Sequence, residues 1–286
     1  MPRFTIIFDA SALNQLADHA DVNSIISRLN SEFRIAITET NLAEIIATPG
    51  REKRVQLNGT IRSFLSSQFT QAILDPYTII EKQFKRFTKL GKAFDWNQLD
   101  IRFQEAEQWF SSEDISDEAS SAAQREDARA SESEFRQTMQ EIRSVFGIPR
   151  DDGSEVPSLE SFVAKDGPFW TLCRIVLARD AQTISEELVR SFYAACPPFQ
   201  AFVSAHFIAL YDRTIRPLKA PRIAKAGRVD VLQSAYLPYC ESFISFDKGQ
   251  IDTFRIVEHS LGSVPVVIHW DDLPPRCFVW VALREC

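Results

Sequence analysis

The sequence predicts an α/β fold, in which a central, mostly parallel sheet lies between two layers of helices and a further helical region is inserted. Short apolar runs followed by helical patterns occur near both ends of the chain. Such alternation of strands and helices is typical of parallel sheets that are covered on both faces. The 286 residues are 45% hydrophobic, which suffices for one large packed core. We therefore expect a three-layer α/β/α architecture.

The N-terminal part contains the first strand–helix units. An apolar run at residues 3–8 predicts a strand, and residues 10–17 predict a turn and a helix start. An apolar run at 33–37 predicts a second strand, and a helix with an apolar pattern at 42–46 follows it.

The C-terminal part repeats this alternation. Small and apolar residues at 231–236 predict a helix that begins near Asp230. Apolar runs at 243–246 and 264–268 predict two further strands. The two ends of the chain together can therefore supply the parallel sheet.

The middle of the chain is predicted to be mostly helical. Apolar residues between 169 and 177 recur at helical spacing, and two later helices are expected at about 184–194 and 199–211. Such stripes are more typical of a packed core than of a cofactor site. We predict a discontinuous α/β domain of residues 1–80 and 218–286. The helical insertion of residues 81–217 would shape a groove or contact partners.

One segment of this insertion is strongly acidic. Residues 113–134 carry eight acids and two arginines, so most of the net charge of −7 lies there. The segment has few large apolar residues, which predicts either a solvated helix or a charged mobile segment around 111–134. A sharper alternative is an acidic lure that competes with RNA for a basic groove.

Several classes of protein are disfavoured by the sequence. The five cysteines form no CxxC pair, and no HExxH, GxSxG, GxGxxG or GxxxxGK[ST] motif occurs. A zinc enzyme, a serine hydrolase and a nucleotide-binding ATPase are therefore poorly supported. No apolar run reaches the roughly 18 residues that a membrane span needs. We expect a cytoplasmic protein with reduced thiols and no membrane partner.

Four acids are predicted to meet at one edge of the sheet: Asp9, Glu44, Asp230 and Asp247. Each has a simple local explanation as a helix cap, part of a capping box or a turn residue. However, Asp9 and Asp247 each follow a parallel strand, and Asp230 is placed at the start of a crossover helix. Glu44 is placed in the first turn of the helix after the second strand. All four positions start from the edge where open α/β sheets bind ligands.

Four neighbouring carboxylates favour a bound cation. Like charges at short distance raise the pKa values of carboxyl groups unless a cation lies between them. Oxygen ligands without His or Cys favour Mg²⁺ or Mn²⁺. The chemistry that such a site supports is phosphodiester hydrolysis by a metal-activated water. Asp252 is a fifth candidate acid, for which a surface position is an equal alternative.

Three segments resemble the PIN-domain superfamily of metal-dependent ribonucleases. They are FTIIFDASAL, ITETNLAEII and GRVDVLQSAYLPYCESFISFDKGQ, which contain all four acids. The resemblance covers about residues 1–80 and 218–286 and implies that these acids hold the catalytic metals. It also implies supporting roles for Ser11 and Ser245. The insertion makes the chain much longer than the compact toxin ribonucleases of that superfamily.

Candidate substrate contacts lie just before Asp230. A base occurs at every third position from Arg213 to Arg228, which gives the predicted phosphate-binding residues Arg216, Lys219, Arg222, Lys225 and Arg228. A solvated connecting loop is an equal alternative. A second basic set, at residues 82–92, is more typical of a solvated helix face. There we expect Phe84 and Phe87 to face the core rather than stack on bases.

Two functions from different classes follow. The first is a Mg²⁺- or Mn²⁺-dependent endoribonuclease, including a toxin-like or defence nuclease. The alternative is a catalytically silent PIN-like scaffold that binds RNA or protein. RNA is the expected partner, while a protein inhibitor (antitoxin), a partner bound through the insertion and a homodimer stay open. A phosphatase that uses an aspartate nucleophile is weakly supported, because Ser11 stands where that motif has a second Asp.

Overall fold

A five-stranded, entirely parallel sheet forms the centre of the protein. The computed structural model describes residues 4–91, 117–145, 167–177, 184–215, 227–261 and 266–272. The strands are β1 (Thr5–Phe8), β2 (Arg34–Thr38), β3 (Gln71–Ile73), β4 (Ser242–Ser245) and β5 (Val266–His269). Their order in the sheet is β3-β2-β1-β4-β5. The predicted α/β class is therefore confirmed.

Helices surround this sheet and occupy most of the intervening sequence. The N-terminal helices are α1 (Ala10–Asp18), α2 (Val22–Glu32), α3 (Glu39–Ala47), α4 (Arg51–Leu65) and α5 (Pro76–Leu90). The middle helices are α6 (Glu118–Val145), α7 (Gly167–Leu177), α8 (Glu186–Ala195) and α9 (Pro197–Leu210), the last followed by a π-helical turn, Tyr211–Ile215. The C-terminal helices are α10 (Arg228–Gln233), the 3₁₀ segments Ser234–Tyr239 and Trp270–Asp272, and α11 (Lys248–Leu261).

Alternate residues of the strands divide the core into two layers. Ile6 and Phe8 of β1 pack in one cluster with apolar side chains of α1, α2, α3 and α4. Ile7, between them, belongs to the opposite cluster with side chains of α9 and α11. This division follows from the two-residue period of a strand, which sends successive side chains to opposite faces. The sheet is thereby covered on both sides, as a three-layer α/β/α fold requires.

Helix α9 is a core element of the second layer. Pro198, Phe199 and every residue from Ala201 to Leu210 are buried. The helix packs against the 3₁₀ segment Ser234–Tyr239 and α11, which both lie near β4 in sequence. A helix that is apolar all round is expected to be buried in this way. Part of the predicted insertion 81–217 therefore completes the core of the α/β domain.

The predicted boundaries of that insertion do not correspond to visible breaks in the described chain. The boundary at 80/81 falls inside α5, which runs without interruption from Pro76 to Leu90. The boundary at 217/218 lies outside the described residues. Phe84 and Phe87 of α5 pack on Phe192 with ring centroids 5.1 and 5.5 Å apart. This confirms that both phenylalanines face the core.

The acidic segment is helical over residues 118–134, which belong to α6. The two interpretations of this segment were a helix and a mobile segment, and the structure shows a helix over these residues. Residues 111–116 lie outside the described part. Arg54 of α4 is fully buried and anchors the start of α6. Its guanidinium donates hydrogen bonds to Ser121 Oγ (3.1 Å) and Glu118 Oε2 (2.8 Å). The N-terminal, acidic part of α6 is thus held by polar contacts, while the later part contributes apolar side chains to the core.

Two further expectations concern thiols and membranes. Cys173, Cys196 and Cys240 are buried free thiols. Cys277 and Cys286 lie outside the described residues. Among the helices that the structure describes, none has the length and apolarity needed to cross a bilayer.

Candidate metal centre

The candidate site lies where the strand order reverses at the carboxyl edge of the sheet. Strands β1 and β4 are neighbours, but the chain continues from β1 towards β2 and from β4 towards β5. Such a switch point opens a crevice at the carboxyl ends of parallel strands. Asp9 follows β1, and Asp247 follows β4 by two residues. The backbone N–H of Asp9 donates to the carbonyl of Ile244 (3.0 Å), so the two strand ends are joined there.

Asp9 is buried and firmly held. It is 5% exposed and caps α1 by accepting a hydrogen bond from Ala12 N at 2.7 Å. The hydroxyls of Ser11 (2.7 Å) and Ser245 (2.8 Å) donate to its Oδ2 atom. In turn, Ser245 Oγ accepts from Asp247 N and Ser11 Oγ accepts from Phe246 N, both at 2.9 Å. The two serines predicted to support the site therefore connect Asp9 to the segment that carries Asp247.

Asp247 caps α11 and keeps an exposed side chain. Its Oδ1 atom accepts hydrogen bonds from Gly249 N (2.6 Å) and Gln250 N (3.2 Å). Lys248 and Gly249 already belong to α11, so Asp247 is a helix cap and does not open an Asp-Lys-Gly turn. Asp252, the fifth candidate acid, is exposed on α11.

Glu44 lies in the second turn of α3, which corrects its predicted position in the first turn. The helix begins at Glu39, because Thr38 and Asn41 form a reciprocal capping box before the apolar stripe starts. Asn41 therefore pairs with Thr38, and a capping box between Asn41 and Glu44 is wrong. Glu44 is half-buried and accepts a hydrogen bond from Gln233 Nε2 at 2.9 Å.

Asp230 is the third residue of α10, so its predicted role as N-cap is wrong. Gly227 occupies the N-cap position. The backbone N–H of Gly227 donates to Asp230 Oδ2 at 2.6 Å. A carboxylate in the first turn of a helix is favoured by the partial positive charge of the exposed N–H groups. The side chain is thus fixed at the helix start, on the same edge as Asp9.

A pair of glutamines links the helices that carry these acids. Gln250 Nε2 donates to Gln233 Oε1 at 2.7 Å, and Gln233 Nε2 donates to Glu44. Gln233 is 2% and Gln250 is 1% exposed. Neither glutamine was predicted from the sequence to belong to the site. The available signal was their spacing, since Gln233 lies three residues after Asp230 and Gln250 three residues after Asp247, on the same helix faces.

The four acids are close enough to act on one another electrostatically. Burial, followed by the fields of Asp9 and Asp230, raises the pKa of Glu44 to about 8. Burial, followed by the fields of Asp247 and Asp9, raises the pKa of Asp230 to about 7. Burial raises the pKa of Asp9 above 3.8, against the opposing hydrogen bonds of Ala12, Ser11 and Ser245. The structure therefore brings together the four acids that the sequence singled out.

Glu132 of α6 is a further acid beside Asp230. It accepts hydrogen bonds from the backbone N–H of Arg228 (2.8 Å) and from the Arg213 guanidinium (3.3 Å). Its field contributes to raising the pKa of Asp230. This contact could not be predicted from sequence patterns, because Glu132 and Arg228 are separated by 96 residues. The acidic helix α6 thus reaches the candidate site and holds the start of α10.

The residue types fit a hard divalent cation, while the side-chain arrangement fits it less well. Neighbouring carboxylates are stabilised by a cation, and oxygen ligands are those that Mg²⁺ and Mn²⁺ prefer. Yet within the described ranges no three His, Cys, Asp or Glu side chains are grouped to hold one metal ion. Carboxylate side chains rotate more easily than strands and helices move, so a cation could draw these acids together.

The hydrogen bonds of the acids are compatible with rotation of their side chains towards a cation. Within the described part of the chain, they use Oε2 of Glu44, Oδ2 of Asp230 and Oδ1 of Asp247. The second oxygen of each carboxylate is left for a ligand. Asp9 is the most constrained acid, because both of its oxygens accept hydrogen bonds. A cation would therefore recruit the other three side chains towards Asp9.

The predicted substrate-binding bases are only partly described. Arg216, Lys219, Arg222 and Lys225 lie outside the described residues. Arg228 is the first residue of α10, two positions before Asp230. A cavity of 390 Å³ lies along α6, lined by Ala128, Arg129, Glu132, Ser133 and Arg136. In the second basic set, Lys85 pairs with Glu81 on an exposed helix face, and Lys92 lies outside the described residues.

Comparison of the chain with protein-family models, with curated proteins and with solved structures finds no match in any of the three. What the site can do therefore has to be argued from its own residues. They provide a rigid, buried aspartate, three acids around it and cationic side chains along the neighbouring helix.

Proposed function

We propose that this protein is a Mg²⁺- or Mn²⁺-dependent endoribonuclease of PIN-like type. The observation that carries the proposal is the meeting of four acids at the switch point of a parallel sheet, where burial and the neighbouring acids raise the pKa of Asp9, Glu44 and Asp230. Grouping acids in this way is costly for a protein unless a cation offsets their charge. Sites of buried carboxylates with strongly shifted pKa values are typical of functional centres.

In this proposal Asp9, Glu44, Asp230 and Asp247 hold the metal. When bound, Mg²⁺ or Mn²⁺ activates a water and offsets the charge that develops on the scissile phosphate and the leaving oxygen. Ser11 and Ser245 keep the carboxylate of Asp9 in one orientation through hydrogen bonds of 2.7 and 2.8 Å. Gln233 does the same for Glu44, which limits the reorganisation needed when the cation binds.

Cationic side chains near the acids would bind the phosphate backbone. Arg228 begins the helix of Asp230, and Arg129 and Arg136 line the cavity beside Glu132. The predicted bases Arg216, Lys219, Arg222 and Lys225 precede the same helix in sequence. Arginines of this kind contribute affinity for the backbone without reading sequence. A cytoplasmic location and a toxin-like or defence role, with or without an antitoxin, belong to the same proposal.

The direct test is cleavage of RNA by purified protein with Mn²⁺. Asp9→Asn and Asp247→Asn are expected to lose at least about a hundredfold in rate, because each removes a charged ligand from the site. The matched control is Asp21→Asn, since Asp21 is an exposed residue before α2 whose side chain makes no capping hydrogen bond. Equal cleavage by the wild type and both site variants would refute the proposal.

A second candidate is a PIN-like scaffold that binds RNA or protein without cutting. The observation that favours it is that no three metal-ligand side chains are grouped together within the described residues. The hydrogen bonds to Asp9, Glu44 and Asp230 would then serve to stabilise the fold. RNA binding that is unchanged by EDTA, with no turnover under Mg²⁺ or Mn²⁺, would favour this scaffold over the nuclease.

A further inference from the structure

Phe246 is an exposed aromatic residue between two residues of the candidate site. Its side chain is 38% exposed, whereas Ser245 before it is fully buried. Asp247 follows it directly. The backbone N–H of Phe246 donates to Ser11 Oγ at 2.9 Å, and Ser11 in turn donates to Asp9. Any movement of this residue is therefore coupled to the hydrogen bonds that hold Asp9.

The ring of Phe246 is supported from within the fold. Its centroid lies 5.3 Å from that of His269, with an angle of 33° between the planes. His269 ends β5, is 8% exposed, and accepts a hydrogen bond from Asp271 N through Nδ1 (3.2 Å). The buried imidazole thus has a fixed orientation and forms a backing for the phenyl ring. An aromatic surface that is both exposed and supported is preorganised for a planar ligand.

The other exposed large apolar residues of the described chain lie on helices or at the opposite edge of the sheet. They are Phe4, Val55, Leu90 and Ile175. Phe4 precedes β1 at the amino edge, and the remaining three lie on α4, α5 and α7. Phe246 is thus distinguished by its place at the acid cluster. A ligand that enters the acid cluster would therefore pass within reach of this ring.

We propose that Phe246 stacks on a base of single-stranded nucleic acid whose backbone enters the acid cluster. The proposal rests on the nuclease function proposed above and narrows its substrate class. Bases of a duplex are already stacked and paired, so an external aromatic ring cannot reach their faces without unpairing them. A single strand presents its bases freely, and stacking on an aromatic side chain is tolerant of sequence. The acid cluster would then act on the phosphate group, and the Phe246 ring would bind the base.

Binding measurements can test the contact between Phe246 and a base without RNA cleavage. A fluorescent single-stranded RNA is titrated with the Asp9→Asn protein in Mg²⁺, alone and combined with Phe246→Ala, Phe246→Trp or Phe4→Ala. Loss of one stacked base typically weakens binding by roughly tenfold. Added to Asp9→Asn, Phe246→Ala should therefore weaken binding by that factor, while Phe246→Trp should keep the affinity of Asp9→Asn alone. Phe4→Ala is the matched control, because Phe4 is also 38% exposed but lies at the far edge of the sheet.

A series of strands with one abasic position identifies the contact. With Phe246 present, one abasic position should weaken binding roughly tenfold, and with Phe246→Ala the same position should have no further effect. Independent losses at every position, unchanged affinity in Phe246→Ala, or no binding of any strand would overturn the proposal. If the abasic position and Phe246→Ala are coupled but the wild type does not cleave RNA, the nuclease proposal is refuted and the stacking contact stands. If the wild type cleaves RNA but the two changes are not coupled, only the stacking contact is refuted.

Discussion

The carboxylate oxygens of Asp9 both stabilise the fold and belong to the candidate metal site. Its Oδ1 atom caps α1 through Ala12 N, and its Oδ2 atom accepts from Ser11 and Ser245. Asp247 likewise caps α11 while its side chain stays exposed. A capping explanation for each acid therefore does not exclude a metal site. The capping hydrogen bond fixes the direction of a carboxylate that follows the end of a strand.

The hydroxyl of Ser245 is predicted to matter for both stability and activity. Ser245→Ala removes a donor to Asp9 and an acceptor for Asp247 N, and leaving buried partners unpaired costs about 1–3 kcal/mol. We expect that loss in urea unfolding and roughly a tenfold slower cleavage of RNA. Ser242→Ala on the same strand is the control, because the buried Ser242 Oγ has no hydrogen-bond partner among the described residues. Equal effects of the two variants would contradict the assigned role of Ser245.

Glu44 gives a prediction about pH. Burial, then the fields of Asp9 and Asp230, raises its pKa from 4.5 to about 8. The folded state therefore binds more protons than the unfolded state between these values. The stability that protonated Glu44 contributes is complete below about pH 4.5 and is lost as the pH rises to about 8. Without divalent ions, the Tm of the wild type should fall more steeply from about pH 5 to about pH 8 than that of Glu44→Gln.

Divalent ions should reverse this trend. In the proposed metal site Mn²⁺ binds the ionised acids, so it should raise the Tm of the wild type more at about pH 8 than at about pH 5. Thermal unfolding at both pH values measures the effect. The exposed Glu52→Gln serves as the control and should behave as the wild type does. The same pH profile in Glu44→Gln and the wild type would contradict the proposed coupling.

At the scale of elements, helix α6 is the part that sequence patterns predicted least well. Its acidic, Ser- and Ala-rich stretch has few apolar residues to fix a face against the core. Phe135 and Met139, in the later part of the helix, are buried in the core, whereas the acidic stretch is positioned by Arg54 at its start and by Glu132 near its end. Such contacts join residues far apart in the chain, so they leave no periodic signal. By contrast, the strand before Asp9 was predictable because its apolar run and the following cap are local.

Arg54 is predicted to control the attachment of α6. Its guanidinium is fully buried and also donates to Thr48 O at 3.0 Å, so Arg54→Met breaks these hydrogen bonds, although Ser121 and Glu118 keep those from Arg125. We expect amide hydrogen exchange in α6 to become roughly tenfold to a hundredfold faster, with a smaller change in α1. Arg28→Ala, which breaks an exposed pair with Glu32 on α2, is the control. Unchanged exchange in α6 would show that other contacts hold this helix.

At the scale of the whole molecule, the ends of the chain form the sheet edge and the middle completes the core. The parallel direction of the strands could be predicted from strand–helix alternation, and it was enough to place Asp9 and Asp247 together. The order β3-β2-β1-β4-β5 could not be predicted, because it depends on pairings between distant segments. Helix α9 lies within the predicted insertion 81–217, yet it is buried along its length.

The central claim is that four acids from distant segments bind one cation centre. Its most direct test is a crystal structure of the protein soaked in Mn²⁺, with anomalous scattering recorded to locate the metal. We predict an anomalous peak within ligand distance of Asp9 and of at least two of Glu44, Asp230 and Asp247, and its loss in Asp9→Asn. Well-ordered carboxylates that keep their protein hydrogen bonds in Mn²⁺, with no peak between them, would contradict the claim.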